Sequence, residues 1–362
     1  MFFGLSEQQA LIRDSFRSTL GRISDVGQVR KTIEARMPVD DEMWRELCEL
    51  GIAGIVIPQE YGGSGLGLFE SAVIAEELGR RVCPVPFVAS AVMGPLALRM
   101  AGSPAQISEW LPRLASGERR LGVAVAETAA GRREDAGVTA SGGRLDGRAL
   151  FVLDAAGSDA FIVGDLAGDL HLVTGDTPGL SQTPLESIDR TRSIAELQFE
   201  NCRAEALTAG TNALARVIQA GRIVLAADSL GASEIMLEKA VAYTAERKQF
   251  GQAIGSFQAV KHLCAEMAAE LQPCRSLVWY AAYTYDNEPE EAALAALQGK
   301  SHMDVIGGFV ARTATEIHGA MGYADITALH YWFKRLGASR VYLGNPERVR
   351  AEAASLQGLP IS

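Results

Sequence analysis

One internal stretch, Arg120 to Arg203, departs from the helical periodicity of the rest of the chain and so dictates its layout. Short apolar runs at Leu121 to Val125, Ala149 to Leu153, Ala160 to Val163, Leu170 to Val173 and Ala195 to Phe199 are separated there by Gly, Asp, Ser and Pro, as strands are by turns. On either side, apolar residues recur at the three- and four-residue spacing of helices. Helices, then strands, then helices leave no βαβ alternation, and no GxGxxG follows a strand, so a doubly wound dinucleotide fold is disfavoured. The expected class is α+β, mostly α. It divides into a helical domain over residues 1–119, a β domain over 120–203 and a second helical domain over 204–362.

Within the first domain, Ser6 and Gln9 form a capping box ahead of a helix through Leu11, Ile12 and Phe16. Met43, Trp44, Leu47, Cys48 and Leu50 mark the apolar face of another helix, stopped by Gly51. Pro58 and the run Tyr61-Gly62-Gly63-Ser64-Gly65-Leu66-Gly67 predict a loop, because glycines are costly inside a helix, and this loop is a candidate ligand surface. Further helices are expected from about Phe69 to Arg81, Ala89 to Met100, Ala213 to Lys248, Phe257 to Asp286, Glu290 to Gly319 and Ala328 to Arg335.

A formal charge of -10, from 44 acidic and 34 basic residues, opposes general attraction to nucleic acid or to an anionic membrane. No apolar run is long enough to span a bilayer. The start, Met1-Phe2-Phe3-Gly4-Leu5, lacks the flank and length of a secretory signal, so a cytoplasmic protein is expected. Cys48, Cys83, Cys202, Cys264 and Cys274 are odd in number and include no CxxC pair, which points to buried free thiols rather than disulfides or zinc. His262, His302 and His330 have no ligand partner one helical turn away, and no metal site is expected.

Two segments carry candidate chemistry. Arg247-Lys248-Gln249-Phe250-Gly251-Gln252-Ala253-Ile254-Gly255-Ser256-Phe257-Gln258 concentrates cation, amides, aromatics and glycines at one turn. A guanidinium is a forked donor for phosphate, an aromatic offers a flat apolar face, and glycine permits close backbone approach. The pattern suits a phosphate-bearing, ring-bearing cofactor; the competing reading is a polar inter-helix turn capped by Gly251 and Gly255. The second segment is Glu316-Ile317-His318-Gly319-Ala320-Met321-Gly322-Tyr323, where Gly319 and Gly322 interrupt a long helix.

With both segments, the chain resembles the acyl-CoA dehydrogenase family. The resemblance rests on Arg247-x-x-Phe250-Gly251 with Gln258 beyond it, on the Gln-x-x-Gly-Gly-x-Gly-like run from Glu316 to Gly322, and on Tyr61-Gly62-Gly63 ahead of Glu76-Glu77-Leu78-Gly79-Arg80. It implies an N-terminal helical domain, a middle β-barrel-like domain and a C-terminal four-helix bundle, with FAD held across a subunit interface. It implies Arg247 at the FAD pyrophosphate, Gln249 and Phe250 against the cofactor, and Gln258 hydrogen-bonded near it. Glu316, Gly319 and Ala320 are implied at the adenosine part of an FAD from another subunit. His318 and Gly322 are counted with this cofactor-binding set, although His318 is equally readable as a cap or core group.

The departures from the family pattern are as informative. Glu316 stands where the family has Gln, and Ala320 where it has the second Gly. The family's α-proton base stands at one of two positions, here Gly221 and Leu343, neither of which can take a proton. Ala126-Glu127-Thr128 and Phe151-Val152-Leu153 replace segments whose hydroxyls face the flavin in the family. Glu127 and Asp154 are weak candidates for a relocated base.

The tail from His330 to Arg335 with Leu343-Gly344-Asn345-Pro346 resembles a bacterial branch that includes α2β2 enzymes of steroid side-chain degradation. The implied function is therefore a subunit of an FAD-dependent acyl-CoA dehydrogenase. It would introduce an α,β double bond into a bulky CoA thioester, with a steroid side chain as one candidate, and pair with a base-bearing homologous subunit in a heterotetramer. Electrons would pass to electron-transfer flavoprotein or another acceptor. A lyase or desulfinase on the same fold, and a purely structural or regulatory subunit, are the alternatives.

Overall fold

A computed structural model describes residues 4–208 and 212–359; Met1 to Phe3 of the N-terminal reading lie outside the described residues. The N-terminal part contains α1 (Glu7–Ile23), α2 (Val26–Glu34), α3 (Asp41–Glu49) and α4 (Leu68–Arg80). A π-helical turn, Phe87–Met93, then runs into α5 (Gly94–Ala101), followed by α6 (Pro104–Ala115). Ser6 caps α1 with the reciprocal Gln9 bond expected of a capping box. Gly51 takes the left-handed φ of 84° just past α3, a conformation that favours glycine.

In the Tyr61–Gly67 loop, Gly63 and Gly67 are packed tightly within the chain, whereas a Cβ on Gly62 would meet nothing within 4 Å. A Cβ on Gly63 would lie 2.1 Å from the Ile57 carbonyl oxygen, and one on Gly67 would lie 2.4 Å from Asp286 Oδ2. The closeness has a use: Asp286 accepts from the backbone N–H of Leu68 and Phe69 at 2.9 and 3.0 Å. It thereby satisfies orphan donors at the start of α4.

The middle region contains β1 (Leu121–Ala124), the short helix α7 (Ala126–Ala130), β2 (Gly137–Ser141), β3 (Arg144–Leu153), β4 (Ala160–Gly164) and β5 (Leu170–Thr174). It continues with β6 (Leu180–Pro184), β7 (Ile194–Arg203) and β8 (Glu205–Leu207), so the sheet takes in three residues beyond the compositional break. Strand order is β6-β7-β3-β1-β4-β5-β8, with β2 also on β3; β1 and β4 are parallel and the other pairs antiparallel. The path is open, and the barrel-like element is a curled half-barrel. Register shifts between β3 and β7, at Leu145/Gly147 and Ala149/Val152, are bulges that sharpen local twist. Both faces are apolar: Phe161, Val163 and Val173 fill the inside of the curl, while Ala160, Ile162 and Leu172 join the core shared with the helices.

The C-terminal part is built on α8 (Ala213–Glu246), a hairpin of β9 (Lys248–Gln249) and β10 (Gln252–Ala253), α9 (Gln258–Asn287) and α10 (Pro289–His318). The short α11 (Ala320–Tyr323), α12 (Leu329–Ser339) and α13 (Pro346–Leu356) complete the chain. Helices α8, α9, α10 and α12 pack as the four-helix bundle. Helix α8 is apolar around its middle and is buried on every side from Ala220 to Ser233. Against α4 it packs backbone to backbone: a Cβ on Gly79 would lie 2.0 Å from the Asp228 carbonyl oxygen, and one on Gly231 1.9 Å from that of Glu76.

Periodicity misses α2, α6 and α13, and the strands β2, β6 and β8. Each is short or carries a thin apolar stripe. In α13 only Pro346, Val349 and Ala353 are buried, while β6 is an edge strand with mostly exposed side chains. Helix α8 also stops at Glu246 rather than Lys248, since the chain turns there into the β9–β10 hairpin. All five cysteines are free; Cys83, Cys202 and Cys274 are buried, whereas Cys48 and Cys264 are only partly so.

Candidate functional site

Where α8 ends, Arg247 donates its backbone N–H to the Tyr243 carbonyl at 2.9 Å and the chain becomes extended. Lys248 pairs with Ala253 and Gln249 with Gln252 across a two-residue turn, Phe250-Gly251, with φ of 52° and 80°. Two successive positive φ values define the type I′ turn that suits a tight hairpin. Gly251 is the usual residue for the second place, whereas Phe250 holds a conformation that costs a side-chain-bearing residue roughly 1–2 kcal/mol. Its ring is 93% exposed and meets Phe257 edge-on at 6.1 Å. Arg247, Gln249 and Gln258, the first residue of α9, are exposed as well. The segment thus presents cation, amides and aromatic to solvent, and its glycines are not helix caps.

The second segment closes α10. Gly319 has φ 57° and ψ -136°, and a Cβ there would meet nothing within 4 Å. Glu316, Gly319 and Ala320 are exposed, whereas His318 and Gly322 are buried. A Cβ on Gly322 would stand 2.4 Å from the Thr315 carbonyl oxygen, so close packing within the chain accounts for that glycine. His318 Nδ1–H donates to the Ala314 carbonyl at 2.7 Å, and the imidazole stacks on Tyr243 with ring centroids 4.5 Å apart. Burial lowers its pKa, opposed by the Ala314 carbonyl and reinforced by Lys239. Tyr243 lies one turn before Arg247, so this stack brings the two motif segments to one end of the bundle. Tyr323 and Ile326, each 80% exposed, extend that end.

The two expected base positions meet inside the protein. A Cβ on Gly221 would lie 2.5 Å from Leu343 Cδ1 and 2.6 Å from Met93 Sδ. Leu343, 3% exposed and at φ 56°, is held by its carbonyl oxygen, which accepts from Arg222 Nε at 2.9 Å. Arg222 also donates through Nη2 to the Ala129 carbonyl at 3.0 Å and pairs with Glu352 at 2.7 Å. No carboxylate stands in this contact, and an apolar plug of Met93 and Leu343 has no group able to accept a proton. Sequence reasoning missed Met93, which reads as ordinary helical core. Arg222, a cation inside a long apolar run, was the available signal for a buried anchor.

Glu127 and Asp154 each commit one carboxylate oxygen to a backbone N–H. Glu127 Oε1 accepts from the Leu150 N–H at 2.9 Å and Asp154 Oδ2 from the Ala89 N–H at 2.7 Å. Burial raises the pKa of both carboxyls, against the lowering effect of those bonds and of nearby arginines. Phe151 has φ 52° and packs its ring under Arg133, whose guanidinium carbon lies 4.6 Å from the ring centroid. Leu153 sits in the ladder opposite Val123 and Ile194. No helix is long and apolar enough to cross a membrane among the described residues.

Comparison with known proteins follows from this geometry. The family description "Acyl-CoA dehydrogenase, N-terminal domain" matches residues 6–118, and "Acyl-CoA dehydrogenase, C-terminal domain" matches residues 208–355. Acyl-CoA dehydrogenase IpdE2 of Mycobacterium tuberculosis is 28% identical over 351 residues, covering 95% of each chain. Acryloyl-CoA reductase (NADH) of Anaerotignum propionicum is 29% identical over 378 residues, covering 96% of this chain and 93% of its own. Among solved structures, the Tcur3481-Tcur3483 steroid ACAD superposes with a TM-score of 0.89 at 29% identity, covering 97% of this chain and 98% of that one. The ChsE4-ChsE5 complex from Mycobacterium tuberculosis shares the fold, with a TM-score of 0.92, 24% identity and full coverage (100%) of both chains.

Proposed function

This chain belongs to the acyl-CoA dehydrogenase family, oxidoreductases acting on acyl-CoA, and on that footing we propose that it is the non-basic subunit of a heteromeric, FAD-dependent dehydrogenase. One observation carries the reading: Gly221 and Leu343 lie against each other and Met93, filling with apolar atoms the place where a base would stand. Removing a weakly acidic α-proton requires a base within direct reach. A base-bearing homologous subunit supplies it in this reading, in a heterotetramer working in the cytoplasm.

The exposed residues at the bundle end fit one part of FAD. Arg247 offers a guanidinium for the pyrophosphate, Phe250 an uncovered aromatic face, and Gly319 backbone with open space before it. Gln249 and Gln258 add hydrogen-bonding amides beside them. The flavin end fits less well within this chain, because Phe151-Val152-Leu153 brings no hydroxyl, Glu127 is tied to the Leu150 N–H, and Phe151 is covered by Arg133. FAD supplies the hydride acceptor for the β-carbon when bound; this chain's own residues grip its phosphate and adenosine parts. The steroid ACAD relative supports a bulky CoA thioester as substrate, and electron-transfer flavoprotein or another acceptor takes the electrons.

The test is to purify the chain alone and co-expressed with a homologous subunit encoded beside it, then measure flavin per polypeptide and acyl-CoA oxidation. About one FAD per pair of chains, with activity confined to the complex, is the expected result. Full flavin occupancy and turnover by the lone chain would sink the proposal. A flavin-free complex indifferent to Arg247→Ala would instead make the chain a structural subunit, and sulfite release from a sulfinate thioester would make it a desulfinase.

A further inference from the structure

Away from the cofactor-motif face, α1, α4, α8 and α9 meet around a cleft of about 410 Å³ whose lining includes Arg13, Arg17, Glu76, Arg80, Glu234 and Arg275. Its charges do not balance in pairs. Arg17 on α1 holds Glu77 through two nitrogens, at 2.9 and 2.6 Å. Arg80 holds Glu238 at 2.7 Å and one oxygen of Glu234 at 3.3 Å, and Arg275 on α9 holds the other oxygen of Glu234. Arg13 is paired with Asp14 on its own helix. Four guanidiniums are thus engaged by the four carboxylates Asp14, Glu77, Glu234 and Glu238, and Glu76 is a fifth carboxylate that shares Arg275 with Glu234.

Glu76 is 6% exposed; its Oε1 accepts from the Trp279 indole N–H, and its Oε2 makes a long ion pair, 3.9 Å, with Arg275 Nε, whose guanidinium is held more closely by Glu234. An ionised carboxylate in that position lacks the donors that compensate lost hydration, so the neutral acid is favoured. Its backbone stands at the tightest crossing of α4 and α8, where a Cβ on Gly231 would come within 1.9 Å of the Glu76 carbonyl oxygen.

We propose that Glu76 carries a proton at neutral pH and acts as a pH-sensitive latch between the N-terminal helices and the C-terminal bundle. Loss of the proton places a buried charge beside Glu234 and Glu77 at the α4–α8 crossing, with only the Trp279 N–H and the long, shared Arg275 contact to offset it, and loosens the crossing. Burial pushes Glu76 up to about 8, with Arg275 and the Trp279 bond opposing and Glu234 and Glu77 adding to the rise. The cleft gives solvent protons a path to the carboxyl without unfolding. Because the folded pKa is raised, the native state binds a proton that the unfolded chain has released. Stability attributable to this group is full below the unfolded pKa of about 4.3 and falls as pH rises toward the folded pKa.

The experiment follows denaturant unfolding from pH 5 to pH 10 in the full chain, with its partner where purification requires it, for wild type and Glu76→Gln. Trp279 emission is recorded alongside, with Trp279→Phe as the subtraction for the other three of the four tryptophans. In wild type the unfolding constant should rise by up to about tenfold per pH unit below the folded pKa. Trp279 emission should change near pH 8, and Glu76→Gln should remove both effects. Equal pH slopes in the two proteins, or a Trp279 signal indifferent to pH, overturn the proposal. Should Glu76→Gln fail to fold, the wild-type infrared spectrum decides: a carboxylic-acid carbonyl band lost on raising the pH through 8 supports the latch, and no such band overturns it.

Discussion

The Cβ that Gly221 lacks would stand 2.5 Å from Cδ1 of Leu343, so the two positions at which the family resemblance leads one to expect a base are one contact in space. Each position constrains the other. Gly221 has no side chain because Leu343 and Met93 occupy its space, and Leu343 keeps a left-handed φ of 56° because Arg222 ties down its carbonyl.

Gly221→Ala therefore overpacks a buried contact and should cost about 1–3 kcal/mol in denaturant unfolding. Met93→Ala opens the space beside it, so the double variant should be less destabilised than the sum of the two single changes. Additive effects would mean that Met93 and Leu343 do not fill this space. Gly221→Glu should lower stability further without conferring dehydrogenation on the lone chain.

Phe250 separates folding from binding. Its ring is 93% exposed and its φ of 52° suits asparagine better than phenylalanine. Phe250→Asn should leave unfolding of the lone chain within about 0.5 kcal/mol of wild type, or stabilise it slightly. The same variant should lose flavin during gel filtration of the assembled complex. Retained flavin would show that the aromatic face does not contact the cofactor.

The paired glycines of the second segment should behave differently. Gly322→Ala drives a Cβ toward the Thr315 carbonyl, 2.4 Å away, and should lower the melting temperature of the lone chain. Gly319→Ala meets no atom, but its φ of 57° with ψ of -136° is a conformation outside the left-handed helical region that is held almost only by glycine, so it should cost about 1–3 kcal/mol. If Gly319 also admits the adenosine part of FAD, Gly319→Ala should weaken flavin retention more than Gly322→Ala does at equal residual stability.

Asp228 on α8 holds Arg335 of α12 through two bonds, at 2.9 and 2.7 Å, and Arg192, in the bend just ahead of β7, at 2.9 Å. Burial alone would raise its pKa, but Arg192 and Arg335 override burial and hold it below the usual range. Asp228→Ala strands two buried guanidiniums and should cost about 3–5 kcal/mol. The depressed pKa means that this contribution is present above the unfolded carboxylate pKa of about 3.9 and is lost as pH falls through the folded value. Asp228→Asn, which cannot ionise, should be less stable than wild type at neutral pH and lose less stability as the pH falls below about 4, measured by denaturant unfolding followed by circular dichroism; equal acid slopes would show that Asp228 does not carry this dependence.

Local signals made much of the architecture legible. The switch from helical periodicity to short apolar runs broken by turn residues located the sheet, and Ser6 with Gln9 marked the start of α1, because both depend on near neighbours along the chain. Arg247, Phe250 and Gly319 stood out by residue type, and the resemblance they carried led to the family. Their surroundings did not follow from type. The sequence alone leaves open whether Phe250 is covered, that His318 spends its ring on Tyr243 and Ala314, or that Met93 closes the space between Gly221 and Leu343. Those facts depend on which segments, distant in sequence, share one volume. Periodicity and motif thus determined the layout and the kind of cofactor to expect; close packing in three dimensions decided that Gly221, Leu343 and Met93 share one filled volume and that the Arg247 to Gln258 turn faces outward.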